Sequence, residues 1–276
     1  MSAPYAGTSP TVEANIYHLY RDYFNKAEKR RRWSLETDIP WESCNPNLSP
    51  AIADVVESFC AVELFLPDYI GKILPLIRGY RGRAWFAANW GYEESKHSLA
   101  LGDWLVKSGQ RTEAQLEAVN KYAVDHEWSL PMDDVRGMVC YSMVQELATW
   151  LHYRNLRHLV REQDDPALNA LLGLVQVDER AHFDFFCKIV KFHLADDRPG
   201  TLEQLRRVFS HFLMPAFHMF PDGARRKAAV QALGIFDDNV FIEGVYLPIL
   251  DTLGLTRTEM RSRAAARKSH TAETQA

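Results

Sequence analysis

The sequence predicts an all-α chain, with four long helices at its centre and additional flanking helices. Apolar residues recur at three- and four-residue steps through most of the chain, the period of an amphipathic helix. No segment shows convincing period-two alternation or a hairpin turn signal, which argues against sheet. Two Glu-x-x-His motifs, each preceded by a glutamate about thirty residues upstream, fall on four of the predicted helices, as a bundle metal site requires.

Residues 1–10 are small and polar, and disorder is expected there. From Thr11 a helix follows from the spacing of Ile16, Leu19, Tyr20, Tyr23 and Phe24. It ends in Lys29-Arg30-Arg31-Arg32, which reads as a solvated helix end favoured by the dipole. Residues 33–50 carry Pro40, Pro46 and Pro50 and read as an ordered loop, with Trp33 and Trp41 available to lie on a core. Helix resumes at Pro50, a good first-turn residue; Val55, Val56, Phe59, Val62, Glu63 and Leu66 share a face. Pro67 should kink or break it.

Gly79 and Gly82 mark a joint. The next helix runs from Arg83 to Lys107, stopped by Ser108-Gly109, and another from Thr112, its cap, to His126. Asp133 or Asp134 caps a helix over 135–161. Asp164-Asp165-Pro166 is a stop and restart: Asp165 caps and Pro166 takes the first turn of a helix reaching Leu194. Asp196 to Gly200 reads as a turn. Shorter helices are expected over 201–214, 222–234 and 237–251, and a disordered basic tail over 256–276. Residues 11–255 then make one helical domain.

Charge and composition narrow the function. Net charge is −4, so nothing calls for a nucleic-acid partner or an anionic bilayer surface. No apolar run approaches a membrane span, and the N-terminus lacks the layout of a signal peptide. Cys44, Cys60, Cys140 and Cys187 are far apart and form no Cys-x-x-Cys pattern, which reads as reduced thiols in a cytoplasmic protein.

The chemistry lies in Glu94-Ser95-Lys96-His97 and Glu179-Arg180-Ala181-His182. Residues three apart on a helix share a face, so each pair can aim two ligand atoms at one spot. Chance supplies such a motif readily; the pattern around it is harder to reach. Glu63 lies 31 residues before Glu94, and Glu146 lies 33 before Glu179. Both glutamates sit in apolar stretches, Ala61-Val62-Glu63-Leu64-Phe65 and Met143-Val144-Gln145-Glu146-Leu147. Four ionised carboxylates gathered in an apolar bundle would be desolvated and mutually repelling unless they bind cations. Two divalent ions neutralise them, with the imidazoles completing the set. Carboxylate and imidazole donors suit non-haem iron or manganese rather than structural zinc.

At Glu63-Leu64-Phe65-Leu66-Pro67, Trp90-Gly91-Tyr92-Glu93-Glu94-Ser95-Lys96-His97, Gln145-Glu146-Leu147-Ala148-Thr149 and Asp178-Glu179-Arg180-Ala181-His182, the chain resembles the soluble acyl-[acyl-carrier-protein] desaturase family. The likeness covers most of residues 10–250 in helix order and implies a ferritin-like bundle. It implies two iron ions per subunit held by Glu63, Glu94, His97, Glu146, Glu179 and His182, and Thr149 beside the oxygen-binding cleft. Asp178 would accept a hydrogen bond from a ligand imidazole. Trp90 is divided between core packing and an electron path. Tyr153 stands where the family places a histidine, and the C-terminal part carries no matching motif.

The resemblance implies an O2-dependent desaturase of fatty acyl chains carried on acyl carrier protein, fed by a ferredoxin-like electron donor and working as a homodimer. Lys29 to Arg32, Arg81 with Arg83, and Arg225-Arg226-Lys227 are candidate docks for the acidic carrier. A di-iron hydroxylase, a ferritin-like metal-storage or oxidant-scavenging protein, and an inactive lipid-binding relative stay open as alternatives.

Overall fold

A computed structural model describes residues 8–214 and 217–261. Among them the regular structure is helical: α1 (Pro10–Arg30), α2 (Pro50–Glu63), α3 (Leu66–Ile77), α4 (Arg81–Lys107), α5 (Glu113–Asp125), α6 (Val135–Glu162), α7 (Pro166–Asp196), α8 (Arg198–His211), α9 (Gly223–Ala232), α10 (Asp238–Phe241), α11 (Leu247–Leu253) and α12 (Arg257–Met260). The disorder expected over residues 1–7 and 262–276 lies outside the described residues.

Caps account for the boundaries. Ser9 accepts from Val12 N at the start of α1, with Pro10 in the first turn, so helix begins inside the expected polar tail. Thr112 and Gln115 form a capping box on α5; Asp134 caps α6. Asp165 does more than cap α7. It accepts from Leu168 N at 2.8 Å, Asn45 N at 3.0 Å and Trp104 Nε1 at 3.0 Å, pinning the 33–50 loop and α4 to the start of α7.

Several boundaries differ from the sequence reading. The break expected at Pro67 is present: Glu63 ends α2, earlier than the apolar face suggested, and Pro67 sits in the first turn of a separate helix, α3. The expected turn at 196–200 is the start of α8: Asp197 caps it through Gly200 N and Pro199 takes the first turn. The segment 237–251 is not one helix. A π turn over Ile242–Tyr246 separates α10 from α11 just ahead of Pro248, absorbing a residue that cannot continue the hydrogen-bond ladder. Thr256 caps α12 with Glu259 in a capping box, and Arg198 and Arg206 hold Glu259. Residues 256–261 are therefore structured.

α6 lies along α7 and α2 along α4, with α4 also against α7. These four helices form the central bundle. α1 crosses α4 and α7, approaching so closely at Gly82 that a Cβ there would lie 2.7 Å from Tyr17 N. One apolar cluster packs Trp104, Leu105, Leu171 and Leu172; the other joins Phe86, Phe183, Phe185, Leu147 and Val190. Each such side chain contributes about 1.5–3 kcal/mol on burial.

Candidate metal centre

α2 brings Glu63, α4 brings Glu94 and His97, α6 brings Glu146, and α7 brings Glu179 and His182. All six are buried. One ligand atom from each of Glu63, Glu94, His97 and Glu179 lies within 4.8 Å of the others, and the same holds for Glu94, Glu146, Glu179 and His182. Glu94 and Glu179 belong to both groups. Glu94 places Oε2 3.3 Å from His97 Nδ1 and Oε1 2.9 Å from His182 Nδ1. Glu179 Oε1 is 3.2 Å from His97 Nδ1, and Glu146 Oε2 is 3.5 Å from His182 Nδ1.

Whether a metal pair fits can be judged from the polar atoms left over. Glu94 Oε1, Glu146 Oε1, Glu179 Oε1, His97 Nδ1 and His182 Nδ1 are buried without a hydrogen-bond partner. A buried polar atom left unpaired costs about 1–3 kcal/mol, so five converging on one spot call for a ligand. The donors are carboxylate oxygens and imidazole nitrogens, which fit iron or manganese. Two divalent ions would balance the four acids.

Proton affinities agree. Burial and then Glu94 push Glu63 up to about 8 and Glu179 up to about 7, and burial pushes Glu146 well above the carboxylate range. For Glu94, burial opposes ionisation, but the neighbouring His97 and His182 hold it low. Burial also opposes charge on His97 and His182, yet the surrounding acidic groups raise both. Without cations, protons hold the cluster together.

Each imidazole turns its other nitrogen outward to a carboxylate. His182 Nε2 lies 2.9 Å from Glu93 Oε2, and His97 Nε2 lies 3.5 Å from Asp178 Oδ2. The Glu93 bond fixes the tautomer of His182, while Asp178 faces His97 as an ion-pair partner. Asp178 accepts from Trp33 Nε1 at 2.7 Å and from Arg31. Glu93 accepts from Tyr23 OH, from Arg32 Nη1 at 2.6 Å and from Arg31 Nη2 at 3.2 Å. Arg31 thus joins both outer carboxylates. Burial opposes ionisation of Glu93, but its bond to His182 leads the opposing effects that hold it near 2; Asp178 is lowered similarly by His97.

The solvated helix end expected at Lys29 to Arg32 is therefore incorrect for Arg31 and Arg32. Their guanidinium groups are drawn inward because two desolvated carboxylates face them. Glu93, passed over for its place in the motif, is one residue from Glu94 and so points about 100° around the helix, toward α1. Its adjacency to a ligand was the available signal. Trp33, Tyr23 and Arg31 gave none, since their partners are 62 to 147 residues away in sequence.

Thr149 lines a chamber with Glu63, Glu94 and Glu179, its hydroxyl donating to Gln145 O at 3.0 Å. Trp90 lines the same chamber and stands edge-on to His182 at 6.4 Å between centroids. Tyr153 donates to Glu63 Oε1 at 3.0 Å. The chamber shares His152, Met214 and Phe217 with an open outer cavity of about 400 Å³, mainly apolar in lining, whose wall includes Lys227.

Comparison with known proteins bears on this geometry. A family model described as fatty acid desaturase matches residues 77–268. DesA1 of Mycobacterium tuberculosis, which bears the name acyl-[acyl-carrier-protein] desaturase, is 26% identical over 222 residues, covering 76% of this chain and 63% of its own. Stearoyl-[acyl-carrier-protein] 9-desaturase 5 of Arabidopsis thaliana is 27% identical over 161 residues, covering 58% of this chain and 36% of its own. The chain thus spans less than two thirds of either relative. Among solved structures, DesA2 of Mycobacterium tuberculosis superposes with a TM-score of 0.63 at 17% identity, over 89% of this chain and all of that one. An R2-like ligand-binding oxidase with an Fe/Fe cofactor gives 0.54 at 16% identity, over 88% and 93%. These likenesses establish a ferritin-like helical fold.

Proposed function

This chain belongs to the fatty acid desaturase family, and from that premise we propose that it is a di-iron, O2-dependent desaturase of fatty acyl chains presented on acyl carrier protein. The observation that carries the proposal is the set of five unpaired buried ligand atoms beside a mainly apolar cavity. Glu63, Glu94, His97, Glu146, Glu179 and His182 would hold the two ions, Glu94 and Glu179 belonging to both ligand groups. The iron pair, when bound, supplies the reduction of O2 and the oxidation of an unactivated C–H bond.

The chain's own groups do the rest. Asp178 and Glu93 hold the imidazole Nε2 atoms so that Nδ1 stays free for metal. Trp33, Asp178 and His97 form a polar path from the 33–50 loop to the centre, suited to electrons from a ferredoxin-like donor. Thr149 sets a hydroxyl in the chamber where O2 must meet the acyl chain. The apolar lining excludes water and holds the chain by burial.

Of the candidate docks, Arg83 is engaged by Glu13 and His193, and Arg226 by Asp222, Glu57 and Ser58. Arg225 is exposed but ion-paired with Asp222 at 2.6 Å, and Lys227, on the outer cavity, is better placed for an acidic carrier. No described helix is long and apolar enough to cross a membrane.

The test is to supply the iron-loaded protein with reductant, O2 and acyl-carrier substrates of graded length, then weigh the products. Loss of two hydrogens is expected. An added oxygen atom would identify a hydroxylase, and no change at any length would defeat the proposal.

A further inference from the structure

The outer cavity and the chamber at the metal centre meet at one polar side chain, His152 of α6, which lines both and is only 4% exposed. Its Nδ1 lies 2.6 Å from Ala148 O. A carbonyl oxygen can only accept, so Nδ1 carries the ring proton. The ring stacks on Phe236 at 4.1 Å and meets the edge of Phe59 at 5.4 Å, with no carboxylate bonded to it. Burial pulls its basicity down to about 4, so the imidazole is neutral and Nε2 holds a lone pair.

Nδ1 is turned back onto its own helix, which leaves Nε2 facing away from α6 into the throat. No described residue bonds it. Of the neighbouring hydroxyls, Thr149 donates to Gln145 O and Tyr153 to Glu63. An apolar chain alone would leave this acceptor unmet, at a cost of about 1–3 kcal/mol.

We propose that His152 Nε2 accepts a hydrogen bond from an O–H or N–H group carried by the bound acyl ligand at the throat. This rests on the reading of the two cavities as an acyl site. The donor has two possible sources with the same chemistry: a hydroxyl on the acyl chain, or an amide N–H of the pantetheine arm that carries it. His152 is then a specificity determinant, favouring a ligand that carries a hydrogen-bond donor at that depth over plain hydrocarbon.

The full-length, metal-free protein tests this by calorimetric binding, so the outcome does not depend on turnover. The ligands are decanoyl thioesters of pantetheine and of ethanethiol, plain or hydroxylated at successive carbons. A chain hydroxyl as the source predicts that one hydroxylated isomer binds about three- to tenfold tighter than its plain counterpart. An amide as the source predicts the same advantage for pantetheine over ethyl thioesters. His152→Leu removes the advantage and His152→Gln, which keeps an acceptor, restores part of it. Matching melting curves show that both variants fold. In the wild type, the 15N resonance of His152 Nε2 shifts with the preferred ligand alone. If thioesters bind but neither preference exists, or His152→Leu preserves it, the proposal falls while the desaturase reading stands. If no thioester binds, the proposal falls, and the turnover assay with iron-loaded protein decides the desaturase reading.

Discussion

Arg31 is the residue on which the charge balance around the centre turns. It sits between Glu93 and Asp178, each bound to an imidazole, and it is largely out of solvent. Two desolvated carboxylates behind two imidazoles are sustainable because this guanidinium lies between them. Replacing Arg31 with Met keeps the bulk and removes the charge. Urea melts of the variant should show a loss of about 3 kcal/mol; an unchanged midpoint would mean that Arg32 and Tyr23 suffice. None of this was legible in the sequence, where Arg31 stands in a cationic run at a helix end. Runs of that kind are ordinarily solvated, and what buries this one is a pair of acids from α4 and α7. The six clustered residues could be read because each needs only its own helix period and a partner type. The residues behind them depend on how α1 crosses the bundle.

At the scale of elements, α4, α6 and α7 were readable to within a few residues because each begins at a cap or joint and ends at a stop visible in the chain. Asp165 shows what the cap reading leaves out. It was identified as the N-cap of α7, yet the same carboxylate gathers the Asn45 amide and the Trp104 indole. Asp165→Ala therefore strips one cap and strands two further donors. A loss of about 2–4 kcal/mol is expected in thermal or chemical melts, above the ~1 kcal/mol of a simple cap. α3 and the broken 238–253 segment escaped notice for a different reason. Pro67 was expected to kink or break the helix begun at Pro50, and the chain does break there, but Pro67 then sits in the first turn of α3. The expected 237–251 helix ran through Pro248, which instead sits in the first turn of α11 after the π turn. A proline's effect depends on where the helix starts, and tertiary packing sets that.

For the whole molecule, the centre links stability to pH and to metal. An unfolded glutamate ionises near 4.5, whereas Glu179 and Glu63 hold their protons to about 7 and 8. The stability they lend is complete below about pH 4.5 and is lost as pH rises through 7 and 8. The raised histidines add to the same decline, complete below 6.5 and lost as pH climbs through their folded values. Glu93, Glu94 and Asp178 act oppositely, losing their contribution as pH falls below about 4. The metal-free protein should therefore melt progressively lower from pH 5.5 to 8.5. Divalent metal displaces those protons and binds more tightly as pH rises, so the gap between loaded and chelated melting temperatures should widen over the same range. A gap independent of pH would show that the acids are already ionised without metal.

Glu94 and Glu179 each serve both groups of ligands, and this sharing sets the arithmetic of filling. A first ion at either position would orient both shared carboxylates and take the proton from Glu179, so that the second would enter a prepared site. Iron added at one equivalent should therefore divide the population into empty and doubly filled molecules, with few singly filled. Native mass spectrometry of such a titration counts the three species directly, and a statistical distribution would show instead that the two positions fill independently.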